Sequence, residues 1–124
     1  MKLQVYLMEI TKIAFSYKFE TKLTKLNQMT LEQFKASTQG EAPPNELDPG
    51  LQAMWHDAKD NWEAAHDIAQ DIHTQDGSWI HAYLHRKEGD LFNARYWYSR
   101  ADKDEFKGTL DEEWEYIVSS LLDE

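Results

Sequence analysis

"SWIHAYLHRKEGDLFNARYWYSR", residues 78–100, is the stretch on which the fold turns. Residues 79–88 run as a helix, and Gly89 suits the left-handed position that ends one. Asp90 can then cap a second helix over "LFNARYWYSRA". The stretch is therefore the core of a helical hairpin. It also gathers two histidines, three arginines and two acids with large aromatics. Tyr96, Trp97 and Tyr98 project about 100° apart on a helix, so one core cannot bury all three.

The same start and stop signals extend outward from this hairpin. Thr30 with Gln33 and Thr109 with Glu112 form capping boxes that open helices, and Asp60 with Glu63 reads as a third. Residues 37–50, "STQGEAPPNELDPG", are a loop whose end is also a helix start, with Asp48 as cap and Pro49 at the first helical position. "TQDGS", residues 74–78, breaks the helix that carries Trp62, Ala65, Ala69 and Ile72 on one face. In the final helix Leu110, Trp114, Ile117, Val118 and Leu121 form the buried stripe, with the acids facing water. Leu51, Met54, Trp55 and Ala58 share another helix side. The chain reads as all-α: a compact helical domain of about five helices over residues 29–124. Residues 1–28 form an N-terminal extension.

That extension carries five lysines and two acids, whereas the rest carries eight basic and 21 acidic residues. Two readings fit it: a helix docking basic against acidic, or an overcalled start with Met29 as the first native residue. Over all 124 residues, 13 basic and 23 acidic side chains leave a formal charge of −10. Such a charge repels phosphate backbones and anionic lipid, which argues against nucleic-acid and membrane-surface roles. No apolar run is long enough to span a bilayer. The absence of cysteine excludes disulfides, thiolate metal sites and cysteine nucleophiles, and fits a cytoplasmic protein.

Placing "DNWEAAHDIAQD" over "DLFNARYWYSRA" aligns Asp60 with Asp90 and Ala64 with Ala94. The second unit, with Gly89, Asp90, Ala94, Tyr98 and Ala101, resembles the second helix of a tetratricopeptide repeat. The glycine expected in that repeat's first helix is missing, and two units fall short of a solenoid. The hairpins are tetratricopeptide-like in geometry only. Residues 29–122 also resemble a family of small uncharacterised bacterial proteins with fungal relatives. The shared features are Trp-x-x-Ala-His at 62–66, His-Ala-x-Leu-His-Arg-x-Glu-x-Asp at 81–90 and Asn-Ala-x-Tyr-Trp at 93–97. This resemblance implies a helical fold and carries no activity.

The polar groups admit three readings. His81 and His85, four apart on one helix face, can share one ion, with His66 brought opposite by antiparallel pairing. Zinc would suit this set, with Glu88 or Asp90 as base. A metal-free enzyme would use His66 or His85 as general base, Arg86 or Arg100 for an anionic substrate, and Asn93 toward an oxyanion. In the structural reading, Arg86 or Arg95 pairs with Asp90 or Glu88. His66, Gln70, His81 and Asn93 then satisfy the Trp and Tyr polar groups. A binding face would draw on His81, Tyr96, Trp97 and Arg100, because aromatics and arginine anchor interfaces. The expectation is a protein-binding or assembly module, with a basic partner or a second copy of the chain. A small enzyme, hydrolytic and metal-dependent or not, is the alternative.

Overall fold

The computed structural model describes residues 29–124, so the N-terminal extension and both readings of it lie outside the described residues. Six helices form: α1 (Leu31–Ser37), α2 (Pro49–Ala58), α3 (Trp62–Gln70), α4 (Gln75–Lys87), α5 (Leu91–Arg100) and α6 (Leu110–Leu122). Among the described residues there is no strand, and no helix is long and apolar enough to cross a membrane. The described residues are all-α, as their capping signals require. Among the described residues six helices stand where about five were expected, the short one opened by the Thr30 capping box included.

Local chemistry sets the helix boundaries. Thr30 and Thr109 make complete capping boxes with Gln33 and Glu112. Pro49 occupies the first turn of α2 beside Asp48, whose side chain makes no cap hydrogen bond. The box expected from Asp60 does not form. Asn61 caps α3 instead, accepting from the Ala64 N–H, while Asp60 takes a left-handed φ of 61° at the end of α2. Asn61 thus holds the position that Asp90 holds for α5, so the two hairpins align one residue away from the Asp60–Asp90 match. Helix α4 starts earlier than its apolar residues suggest, because Thr74 caps it through the Gly77 N–H. A Cβ on Gly77 would land on the Ile72 carbonyl oxygen, so only glycine lets α4 begin so close to the end of α3.

Helix α4 is the axis of the molecule. It packs most extensively on α5, then on α3, and also touches α2 and α6. Seven consecutive residues, Trp79 to His85, are buried. A helix buried all round is normally apolar all round. Here Ile80, Ala82 and Leu84 are fully buried core residues, whereas His81, Tyr83 and His85 carry polar groups inward. Helix α6 closes the far side. Ile117 and Val118 are fully buried, and the Trp114 Nε1–H donates to the Met54 carbonyl at 3.1 Å. Phe34 of α1 is fully buried and meets the Trp114 ring at 5.8 Å. Burying an aliphatic or phenyl side chain of this kind stabilises by about 1.5–3 kcal/mol.

Two expectations for this core are corrected. Ala58 is exposed at the end of α2 and does not join Leu51, Met54 and Trp55 in the core. The acids of α6 do not all face water, since Glu113 is 0 % exposed. Its carboxylate accepts from Arg86 at 2.7 Å and from the Tyr98 hydroxyl at 2.6 Å. Arg86 also donates to the Gly108 carbonyl. Arg86 is therefore a strut between α4 and α6 and does not pair with Asp90 or Glu88; Arg95 pairs with Glu105.

Candidate metal centre

Apart from the Arg86–Glu113 contact, the histidines of α4 meet α3. The i, i+4 spacing of His81 and His85 stacks their rings at 5.0 Å, 16° from parallel. His66 enters from the antiparallel helix α3, and its Nε2 lies 2.9 Å from the Nε2 of His81. One ring nitrogen from each of the three histidines lies within 4.8 Å of the other two. The hairpin thus brings together the trio expected from sequence.

Two tryptophans wall the trio. Trp62 stacks on His66 with centroids 4.8 Å apart, and its Nε1–H donates to the Leu84 carbonyl at 2.8 Å, which pins α3 to α4. Trp97 stacks on His81 at 3.9 Å, 8° from parallel, from the α5 side. His85 is oriented from behind by Glu88, whose Oε2 lies 2.7 Å from Nδ1. That contact commits the Nδ1 proton and leaves Nε2 as the free nitrogen of His85.

This environment disfavours the charged forms of His66 and His81. Burial lowers the pKa of His81 to about 4, with His66 and His85 adding like-charge repulsion. Burial, followed by the neighbouring His85, also lowers the pKa of His66. Metal ions bind neutral imidazole, so the lowered pKa values of His66 and His81 favour coordination. In a pair of neutral imidazoles 2.9 Å apart, one Nε2 donates and the other accepts; an ion would replace that shared proton. Two nitrogens on one tetrahedral zinc stand about 3.3 Å apart. The His66–His81 pair is near that spacing already, and the widest pair need close by at most about 1.5 Å.

The remaining candidates divide cleanly. Glu88 belongs to the site as the carboxylate behind His85. His85, Glu88 and Asp90 form a second cluster of ligand atoms within 4.8 Å, but Glu88 there is already engaged by His85. Asp90 is engaged too. Hydrogen bonds from the Asn93 side chain and backbone hold its carboxyl below the usual carboxylate range. Asn93 consequently spends its amide on the cap of α5 and is not aimed at an oxyanion. Arg86 is engaged elsewhere, by Glu113 and the Gly108 carbonyl. Tyr96, Trp97 and Arg100 do come together, with the Arg100 Cζ 5.8 Å from both ring centroids.

The side chains that satisfy the buried tyrosines are not those expected. Tyr83 donates to Asp57 at 2.8 Å, a buried carboxylate that also holds Lys87 at 2.9 Å. Tyr98 donates to Glu113. Neither Asp57 nor Glu113 was singled out from sequence, where both lie among charged neighbours and carry no local signal. Among known proteins, no family model matches the chain, and no curated protein or solved structure matches it.

Proposed function

We propose that this protein holds a divalent transition metal, zinc by preference, on His66, His81 and His85, and uses it for metal-assisted hydrolysis. The observation that carries the reading is the convergence of three imidazoles with a carboxylate behind one of them. A carboxylate–histidine–metal chain of the Glu88–His85 kind fixes the tautomer and raises the ligand's basicity. Three protein ligands leave the fourth tetrahedral position open, which is the pattern of catalytic and not of structural zinc. Bound there, zinc brings the pKa of a water to about 7 and supplies hydroxide near neutral pH. Imidazole ligands without thiolate suit zinc, as they also suit copper, nickel and iron.

A protein-binding role, the other expectation, is supported by a different observation. Leu91, Phe92 and Tyr96 on α5 are 51 %, 82 % and 52 % exposed, and Phe92 and Tyr96 share one face at i, i+4. The metal reading accounts for more of the buried polar residues, and one experiment separates the two. Zinc titrated into chelator-treated protein should bind at one ion per chain. His66→Ala, His81→Ala and His85→Ala should each abolish tight binding, and Glu88→Gln should weaken it about 10–100-fold. Zinc that binds only weakly, or equally well to the three alanine variants, would remove the metal centre. The exposed α5 face would then be the basis for function.

A further inference from the structure

The chain has three arginines, and they are used differently. Arg86 holds Glu113 and Arg95 holds Glu105. Arg100 has no carboxylate partner among the described residues. It lies over the faces of Tyr96 and Trp97 instead, with one long contact of 3.5 Å to the Tyr96 hydroxyl. Stacking of this kind holds a guanidinium in place while leaving its in-plane donors free.

Arg100 lines a cavity of about 270 Å³ between the end of α3, the first turn of α4 and α5. His73, Thr74, Ser78, His81, Trp97 and Arg100 are among its lining residues. None of its lining residues is acidic, in a chain with 23 carboxylate side chains. The contrast with the other hollows is direct. The one beside Lys35 and Lys87 includes Asp57, Asp60, Asp111 and Glu115, and the one beside Arg95 includes Asp102, Asp104 and Glu105. His81 belongs both to this wall and to the histidine trio, so the cavity abuts the candidate centre.

We propose that this cavity binds a small oxyanion-bearing molecule, a carboxylate or phosphate, with Arg100 as the anion-holding residue and Trp97 as the apolar wall. The planar guanidinium can hold two oxygens of such a group in parallel. Hydroxyl and amide side chains at the first turn of α4 offer further neutral donors, and no carboxylate competes. At about 30 Å³ per water, the space admits a ligand of roughly ten non-hydrogen atoms. This assigns the substrate class of the proposed hydrolytic site. The inference rests on the metal reading for what becomes of the ligand, and not for its binding.

The test is nuclear magnetic resonance on the full chain, zinc-free and zinc-loaded, at low ionic strength. The probes are inorganic phosphate and acetate, with neutral acetamide as control. The Trp97 indole and the amides of residues 74–78 should shift with both anions and not with acetamide, in both forms of the protein. Arg100→Gln should weaken phosphate binding at least about tenfold, and Arg100→Lys should restore part of it. Arg95→Gln, which removes a guanidinium already paired with Glu105, should leave binding unchanged. Shifts that ignore Arg100→Gln, or that acetamide reproduces, would overturn the pocket. So would shifts confined to zinc-loaded protein and centred on His66 and His85, which would place the anion on the metal. A failure of the metal centre reads out separately, as zinc that does not bind while the zinc-free phosphate response persists.

Discussion

At the residue scale, His81 bears the most on both stability and chemistry. It is 6 % exposed, stacked on Trp97 and in hydrogen-bond contact with His66. Its pKa falls from an ordinary 6.5 to about 4 on folding, burial being the main cause. The unfolded chain therefore takes up a proton first as pH falls. Stability is full above pH 6.5, declines through the interval down to about pH 4, and levels off below it as far as this group is concerned. The contribution is on the order of 3 kcal/mol across that window. Urea unfolding of zinc-free protein at a series of pH values should show it, and His81→Phe, which keeps the ring stack, should flatten that limb. Parallel pH curves for the two proteins would show that His81 does not titrate as its burial implies. The i, i+4 pair itself was legible in the sequence, because helical periodicity alone puts both rings on one face.

At the element scale, three helices end in the same way. The residue after the cap turns left-handed: Asp60 at φ 61° after α2, Gly89 at φ 88° after α4 and Asp102 at φ 58° after α5. Each time the next N–H closes back on a carbonyl five residues earlier, Asn61 to His56, Asp90 to His85 and Lys103 to Tyr98. Only the glycine announced itself in the sequence. Aspartate is a weaker signal for this conformation and a strong one for N-caps, so the sequence puts the cap at Asp60, one residue before Asn61. The start of α4 was hidden for a related reason, since Gly77 looks like a loop residue until its close approach to Ile72 is seen. Because a Cβ at Gly89 would meet nothing within 4 Å, Gly89→Ala isolates the backbone term and should cost about 1 kcal/mol. Asp102→Gly should stabilise by about 0.5–1 kcal/mol for the converse reason. Guanidinium unfolding midpoints measure both. A neutral Gly89→Ala would mean that the left-handed turn contributes no strain.

At the scale of the whole molecule, α4 divides two kinds of polar interior. One cluster gathers the imidazoles of His66, His81 and His85 between α3 and α4, and the other holds charges partnered across α4, α5 and α6. The second kind could not be read locally: Glu113 finds Arg86 at a separation of 27 residues and Tyr98 at 15. Helical amphipathicity sorts acids outward by default, and only the packed arrangement reveals one turned in. The node joins α4, α5, α6 and the segment at Gly108, so its loss should be felt by the entire cooperative unit. Glu113→Ala strands Arg86 and the Tyr98 hydroxyl and should cost about 3 kcal/mol, the lower end for a broken buried pair because Arg86 is 21 % exposed. The triple change Arg86→Met, Tyr98→Phe, Glu113→Leu removes the three side-chain polar groups together, leaving only the Gly108 carbonyl without its Arg86 donor, and should recover much of that loss. Urea denaturation of the single and triple variants measures the difference. If the triple variant were no more stable than Glu113→Ala, the node would be contributing net attraction beyond the avoidance of unpaired buried charge. Zinc affinity should stay unchanged in both, since neither alters the wall of α4 that carries His81 and His85.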